Sequence, residues 1–455
     1  MRVGLRKMVS SLTSGAMIGA LTWALAPGPL AAEPVVAAAN ATIDADMVRK
    51  AGGEIYTFYA ERGYRPLWLD GQGQPGPGAQ ALLELLATAS IDGIDPARLD
   101  LDALKAAIAS AQSRSPADVT RAEILTSNAF VTYVQMLRTT AGDAMTYEHP
   151  NLRPQSVPAY HILKDSQNAS SLGDYVAQMR WMHPLYATLR GNLTTVESDG
   201  SLKKALMSSL ARVRGIPNSR RQVVVDVASA RLWMYEDGKP VDSMRVVVGK
   251  KNTPTPLLAG YIRYAITNPY WNVPSEMVAS NIASNVVRRG VGYLRAGGYQ
   301  VLSDWSANPG IVDPATINWR VAARGGLDLR VRQLPNGGNF MGKAKFEFPN
   351  PFGIYLHDTP QKDLMLRSAR QFSGGCIRLE DAQRFGRWLM RGDFQTEADR
   401  PEVKVNLPAP VPIYITYLTV QAVDGRMALG PDPYGLDLRQ VPMTASAPRS
   451  GTPPS

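Results

Sequence analysis

Thiols and imidazoles are scarce in this chain. It has one cysteine, Cys376, and four histidines, of which only His357 follows His183. A lone thiol cannot close an intrachain disulfide, and one Cys with one nearby His cannot build a closed metal site. Neither a disulfide framework nor a metal centre is therefore expected, and no cofactor motif is seen. Long apolar runs are missing too. The longest, Gly15 to Ala26, falls short of the roughly 20 residues that a membrane-spanning helix needs. There is no basic helix and no aromatic-basic ribonucleoprotein motif, so the formal charge of +10 does not argue for nucleic acid as a partner.

Arg2, Arg6 and Lys7 precede that apolar run, and Pro27 to Ala32 follow it with a helix-breaking, small-residue end. The pattern reads as a signal peptide over residues 1–32, cleaved near Ala32. Losing those three basic residues takes the formal charge from +10 to +7, which suits an anionic envelope surface or polymer. Export sharpens the meaning of the single cysteine. Oxidising compartments favour paired thiols and expose an unpaired one to oxidation.

What is present divides into two halves with different periodicity. Residues 33–214 read as a helical domain. Ala79 to Ala89, Leu101 to Ala111, Ala117 to Leu137, Leu172 to Leu189 and Leu202 to Val213 are its helices, with Asp92-Gly93-Ile94-Asp95-Pro96 as a stop and turn. Gly63 to Trp68 reads as a packed loop with an aromatic anchor, and His149, His161 and His183 sit singly, without ligand spacing. From 221 to 420 the pattern becomes β. Gln222 to Val227, Arg231 to Tyr235, Met244 to Val248, Tyr261 to Thr267, Lys343 to Phe348, Phe352 to His357 and Val411 to Val420 read as strands, and Glu236 to Pro240 as a hairpin signal. Glu380 to Met390 reads as a helix. Residues 270–336 form a long insertion, expected to hold one helix (Ser275 to Arg289) and then loops anchored by Trp305 and Trp319. Such an excursion suits a cap over a site. Residues 421–455 form an extension whose end, Thr444 to Ser455, is Pro/Ser-rich and expected to be disordered.

Cys376 closes the segment Phe372-Ser373-Gly374-Gly375-Cys376-Ile377-Arg378, nineteen positions after His357. A Cys nucleophile must ionise, and a nearby imidazole or backbone N–H groups can lower its pKa into the range of roughly 3.5–7.5. The two glycines let the backbone approach a substrate carbonyl and aim amides at its oxygen.

These residues resemble the L,D-transpeptidase (YkuD-type) family. Its signature is a histidine, an interval of some fifteen to twenty residues, then Ser/Thr-x-Gly-Cys, an aliphatic residue and Arg or Asn. His357, Ser373, Gly375, Cys376, Ile377 and Arg378 supply the pieces. Pro269 to Pro274, Lys345 to Asn350 and Ile354 to Pro360 look like the larger YcbB-like murein L,D-transpeptidases, as does the Asp92 to Pro96 turn of their helical scaffold. The resemblance implies an α+β fold: an all-helical scaffold domain, then a β-rich catalytic domain with an inserted capping subdomain. Two features depart from the pattern. Gly374 stands where many members have His, a second histidine that the YcbB-like group often lacks. The usual peptidoglycan-binding module before the catalytic domain has no room here.

The reaction implied is attack by Cys376 on the third-residue diaminopimelate carbonyl of a donor tetrapeptide stem, with release of D-Ala. Transfer to the side-chain amine of another stem's diaminopimelate would give a 3→3 cross-link. His357 would be the base, and the Gly375 and Cys376 N–H groups the oxyanion hole. Ser373, Gly374, Arg378, Tyr355 and Trp271 are candidate substrate contacts, with a structural ion pair as the other reading of Arg378 and core packing as that of the aromatics. Asp358 is expected to shape the turn, the imidazole being oriented by a backbone carbonyl. The resemblance also implies carbapenem inhibition and a periplasmic setting in a Gram-negative envelope. Acceptors other than a stem remain open, namely an outer-membrane protein, or water in an L,D-carboxypeptidase. A Cys/His peptidase fits less well, since such enzymes generally place Cys before His, and an inactive scaffold would not need both reactive residues.

Overall fold

The structure, a computed structural model, describes residues 42–437 except 71, 140–144, 195, 197–199, 397–398 and 424–425. The signal-peptide segment and the Thr444 to Ser455 end lie outside the described residues.

The first half folds as helices α1 (Ala45–Ala51), α2 (Gly53–Glu61), α3 (Pro77–Ala87), α4 (Leu101–Ala111), α5 (Pro116–Thr139), α6 (Ala159–Gln167), α7 (Leu172–Ala177), α8 (Pro184–Leu193) and α9 (Gly200–Arg214). Their apolar faces meet in one core that includes Phe58, Leu82, Leu86, Phe130, Leu163 and Leu206. Two buried carboxylates tie the loops to this core. Glu123 on α5 accepts the N–H groups of Leu67, Trp68 and Leu69 and the Tyr59 hydroxyl, so the Gly63 to Trp68 loop is packed. Asp92 accepts from Tyr133 at 2.7 Å, Tyr186 at 2.8 Å and Arg190 at 3.0 Å. A buried charge held this fully is tolerated, and removing one partner would be strongly destabilising.

The strands are β1 (Thr146–Tyr147), β2 (Arg221–Asp226), β3 (Arg231–Glu236), β4 (Lys239–Gly249), β5 (Leu258–Thr267), β6 (Trp271–Val273), β7 (Tyr299–Leu302), β8 (Ile311–Val312), β9 (Arg330–Gln333), β10 (Ala344–Glu347), β11 (Leu356–His357), β12 (Gln371–Ser373), β13 (Ile377–Leu379), β14 (Val403–Thr416), β15 (Val420–Val423) and β16 (Arg426–Leu429). The main sheet runs β5-β10-β11-β13-β4-β3-β2-β14 and closes, because β14 also pairs with β5. β1 joins β5, and β12 pairs with β4. The β3–β4 turn is the two-residue Asp237-Gly238, both at positive φ, the geometry that matches strand twist in tight hairpins. β14 slips register between Asn406 and Val411, where Pro408 and Pro410 cannot donate to a ladder. Inside, Val223, Val246, Ile262, Phe346, Leu356, Ile377 and Ile413 are buried together. The helix Ala382–Met390 seals this core by placing Phe385 edge-on to Phe346.

Two local expectations are corrected. The insertion holds a four-stranded sheet, β6-β9-β7-β8, beside its helices, with Trp271, Val301, Trp319 and Val331 in its own core. Strands of two to four residues are too short for an alternation to show. Its helix between Ser275 and Arg289 contains a π segment at Val278–Ala283. The strand expected at Phe352 to His357 shrinks to Leu356–His357, because Asn350 turns the chain first. Its side chain accepts from Phe352 and Ile354 N–H and donates to Phe348 and Ile354 carbonyls. β15 and β16 pair as a hairpin, and Leu418 and Val420 enter the helical core.

Candidate functional site

β11 lies between β10 and β13, pairing parallel with β13 so that Leu356 faces Ile377 and His357 faces Arg378. Nineteen residues of separation collapse into adjacent strands of the barrel wall, with Cys376 at the entrance to β13. The Ile377 N–H donates to the Tyr355 carbonyl at 3.0 Å, fixing the register beside the thiol.

The turn bearing Cys376 is braced from within. Ser373 is buried, and its hydroxyl donates to the Cys376 carbonyl at 2.6 Å while accepting the Gly375 N–H at 3.1 Å. Gly375 has φ +128°, a conformation that side chains rarely adopt. Its carbonyl accepts the Thr255 hydroxyl at 2.6 Å, and Thr255 accepts the Gly249 N–H at 2.9 Å. Behind Thr255 stands Tyr434, whose hydroxyl donates to the Gly249 carbonyl at 2.6 Å and accepts the Thr255 N–H at 3.2 Å. Cys376 itself is half-buried, its Sγ 3.7 Å from the Gly353 carbonyl. Burial pushes the thiol pKa up, against hydrogen bonds from the Tyr355 backbone and side chain that favour the thiolate.

His357 is 3% exposed. Its Nδ1 lies 2.6 Å from the Asp358 carbonyl oxygen. A carbonyl can only accept, so Nδ1 carries the proton and Nε2 keeps its lone pair. Burial, then the nearby positive charge of Arg378, push the imidazole down to about 3. It is neutral at any physiological pH, with Nε2 unprotonated. The Asp358 side chain has a different task. It accepts from Lys343 N–H at 2.9 Å and from Lys362 Nζ at 2.6 Å, shaping the turn after β11.

The five candidate contacts differ in placement. Tyr355 stands against Cys376 on one side and packs on the insertion core on the other. Arg378 donates to Gln361 at 2.7 Å, its buried Nε has no partner, and no carboxylate pairs with it among the described residues. The ion-pair reading is thus not what the structure contains. Gly374 is exposed, and a Cβ there would meet nothing within 4 Å, so the turn needs no larger side chain at that position. Ser373 and Trp271 stand apart. Both hydrogen-bonding functions of Ser373 are committed to the turn. Trp271 is buried against Phe340, with ring centroids 4.6 Å apart, inside the insertion. Of the two expected oxyanion donors, the Gly375 N–H is committed to Ser373, whereas the Cys376 N–H donates to no acceptor among the described residues.

Thr255 and Tyr434 escaped the sequence reading. They lie 121 and 58 positions from Cys376 along the chain, and Thr253-Pro254-Thr255-Pro256 carries no catalytic pattern. Among the described residues no group of three or more His, Cys, Asp or Glu side chains could hold a metal ion. Thiol, neutral imidazole and a free backbone donor together can perform acyl transfer through a thioester.

Comparison with known proteins places this geometry. The profile of the YkuD L,D-transpeptidase catalytic domain matches residues 220–413, and that of the Scaffold domain matches residues 53–193. A candidate L,D-transpeptidase of Haemophilus influenzae is 27% identical over 397 residues, which is 84% of this chain and 78% of that protein. Among solved structures, the L,D-transpeptidase from Mycobacterium smegmatis is 15% identical, covering 46% of this chain and 64% of its own, with a TM-score of 0.22. LdtMt1 in complex with imipenem is 11% identical, covering 43% of this chain and 58% of its own, with a TM-score of 0.22. The chain thus spans less than two thirds of the solved structures it matches.

Proposed function

Because residues 220–413 are a YkuD-type L,D-transpeptidase catalytic domain behind a Scaffold domain, we propose that this protein is a periplasmic enzyme that forms 3→3 cross-links in peptidoglycan through a Cys376 acyl-enzyme. The observation that carries the reading is the His357 tautomer. Nδ1 is held by the Asp358 carbonyl, which leaves the lone pair on Nε2, and the β11–β13 pairing sets His357 opposite Arg378, two positions after the only thiol of the chain.

In the first half-reaction the Cys376 sulfur bonds to the third-residue carbonyl carbon of a donor stem as its proton passes to His357 Nε2. The Cys376 N–H, and the Tyr355 hydroxyl beside it, stabilise the oxyanion. The tetrahedral intermediate collapses by breaking the C–N bond, and the D-Ala amine leaves with the proton from Nε2. In the second, the acceptor amine attacks the thioester, Nε2 takes its proton, and the thiolate leaves and is reprotonated. Arg378, with an unpartnered buried Nε, offers a cation for a substrate carboxylate.

The test is incubation with purified tetrapeptide muropeptides, followed by mass spectrometry. A dimer with one D-Ala lost supports the proposal. Tripeptide alone would make the enzyme a carboxypeptidase, and an outer-membrane protein carrying a tripeptide adduct would identify a protein acceptor. A carbapenem such as imipenem offers the same thiol a strained amide carbonyl, so intact mass should show a single adduct that Cys376→Ala abolishes.

A further inference from the structure

At the barrel end away from Cys376, the β3–β4 hairpin, the start of β2 and the end of the helix Ala382–Met390 enclose a cavity of about 350 Å³. β4 fixes the separation. Val247 lies opposite Arg378 and Gly249 opposite Ser373, whereas Lys239 begins the strand at the hairpin. Eight to ten residues at about 3.3 Å each put the cavity roughly 26–33 Å from the thiol.

Four guanidinium groups line it, from Arg220, Arg221, Arg387 and Arg391, against two carboxylates, Glu236 and Asp237. They are not equivalent. Arg221 is structural: it lies over the Trp388 ring at 4.1 Å, caps the helix by donating to the Trp388 and Leu389 carbonyls, and pairs with Glu236 at 3.1 Å. Arg220 and Asp237 form an exposed pair at 3.4 Å. Arg387 and Arg391 are exposed, and neither guanidinium has a hydrogen bond or ion pair among the described residues. Arg391 also sits at the helix C-terminus with φ 56° and ψ 31°, where glycine would be favoured. A bulky cation thus stands at a strained position beside another cation. The positive charge of Arg391 adds to burial in acidifying Arg221, a repulsion that a bound anion would relieve.

We propose that this cavity binds the free end of the diaminopimelate side chain of peptidoglycan stem peptides, which bears a carboxylate and an ammonium on one carbon, the carboxylate bridging Arg387 and Arg391 and the ammonium facing Asp237. The inference rests on the peptidoglycan reading above. It gives the enzyme a second hold on the polymer, at the barrel end remote from the chemistry. Guanidinium forks match carboxylates in a bidentate way, and the mixed lining selects a zwitterion. A uniformly anionic lipid surface would press negative charge against Glu236 and Asp237.

The experiment is co-sedimentation of the full chain with isolated peptidoglycan sacculi, in a Cys376→Ala background so that turnover traps nothing, across a NaCl series. Arg387→Glu and Arg391→Gly are each compared with the parent. Loss of one charge-assisted contact should weaken binding roughly tenfold to a hundredfold and flatten its salt dependence. Arg391→Gly should keep or raise the melting temperature, since glycine suits that backbone, so its binding loss would not reflect misfolding. Acylation by a soluble tetrapeptide donor, measured with Cys376 restored, should stay within twofold of the parent. Unchanged sedimentation of both variants would overturn the proposal, as would arginine-dependent binding to phosphatidylglycerol vesicles with none to sacculi. Arginine-dependent sedimentation by a protein that never acylates would support the cavity assignment while ending the transpeptidase reading.

Discussion

Thr255→Val replaces a buried hydroxyl by a methyl of nearly equal size, and it is the sharpest probe of how the thiol is presented. Thr255 Oγ1 donates to the Gly375 carbonyl at 2.6 Å and accepts the Gly249 N–H at 2.9 Å, with the residue 1% exposed. The Gly375 carbonyl and the Cys376 N–H belong to one planar peptide unit, so they point in opposite directions. Anchoring the carbonyl inward aims the N–H outward, towards the position of an oxyanion. Valine leaves a buried donor and a buried acceptor unpaired, at about 1–3 kcal/mol each, so a loss of roughly 2–6 kcal/mol in unfolding free energy is expected. For catalysis, deleting an oxyanion donor outright lowers kcat by about 10²–10³, and letting one swing should lower it roughly 10–100-fold. The assay is acyl-enzyme formation with a tetrapeptide donor, followed by intact mass at timed quench below the melting temperature of the variant. KM should change little, because the donor's binding surface is untouched, and Thr255→Ser should recover most of kcat. A kcat within twofold of the parent in a destabilised Thr255→Val protein would refute the argument that the carbonyl anchor orients the N–H.

Cys376→Ala should abolish acylation with the fold intact, and retained cross-linking would end the nucleophile assignment. His357→Ala should lower the acylation rate by roughly 10²–10⁴, while an unchanged pH–rate profile would count against it as the base. With His357 pushed down to about 3 and the thiol raised by burial, the resting pair is neutral, so alkylation by iodoacetamide should rise about tenfold per pH unit from pH 6 to 8; a plateau across that range would reveal a thiolate–imidazolium pair instead. Replacing the tip of the 270–336 insertion by a Gly/Ser linker should shift products from dimer towards tripeptide by admitting water, and an unchanged ratio in a variant that still acylates would remove the insertion from acceptor selection.

The candidate pair Cys376 and His357 and the change from helical to β periodicity were legible because each leaves a local mark. A single thiol behind Ser373-Gly374-Gly375, and a histidine at the end of an apolar run, are visible in any window that contains them. The α+β division showed for the same reason, since helices of nine or more residues and strands such as β4 and β5 carry enough turns or alternations to declare a period. The sheet inside the insertion did not, and neither did the turn made by Asn350, whose four hydrogen bonds depend on a side chain that reads only as a polar residue near Pro349 and Pro351.

What stayed hidden is the second layer around the thiol, and the reason is topological. Closing the barrel through β14 and β5 returns the C-terminal segment to the helical domain. There Arg212 on α9 pairs with Asp437 at 2.6 Å and donates to the Tyr417 carbonyl. The Tyr417 hydroxyl then accepts the Tyr434 N–H at 2.8 Å, and Tyr434 reaches Thr255 and Gly249. From scaffold helix to Gly375 carbonyl, the path crosses five segments with no shared motif, and each link is an ordinary Arg, Asp, Tyr or Thr. Residues 414–437 lie beyond the catalytic-domain match at 220–413, yet their tyrosines complete the support of the turn that carries Cys376. A chain ending at Thr416 would keep β14 whole together with Cys376 and His357, and would lose Tyr417 and Tyr434, so its thiol should still alkylate while its acylation by a stem peptide falls.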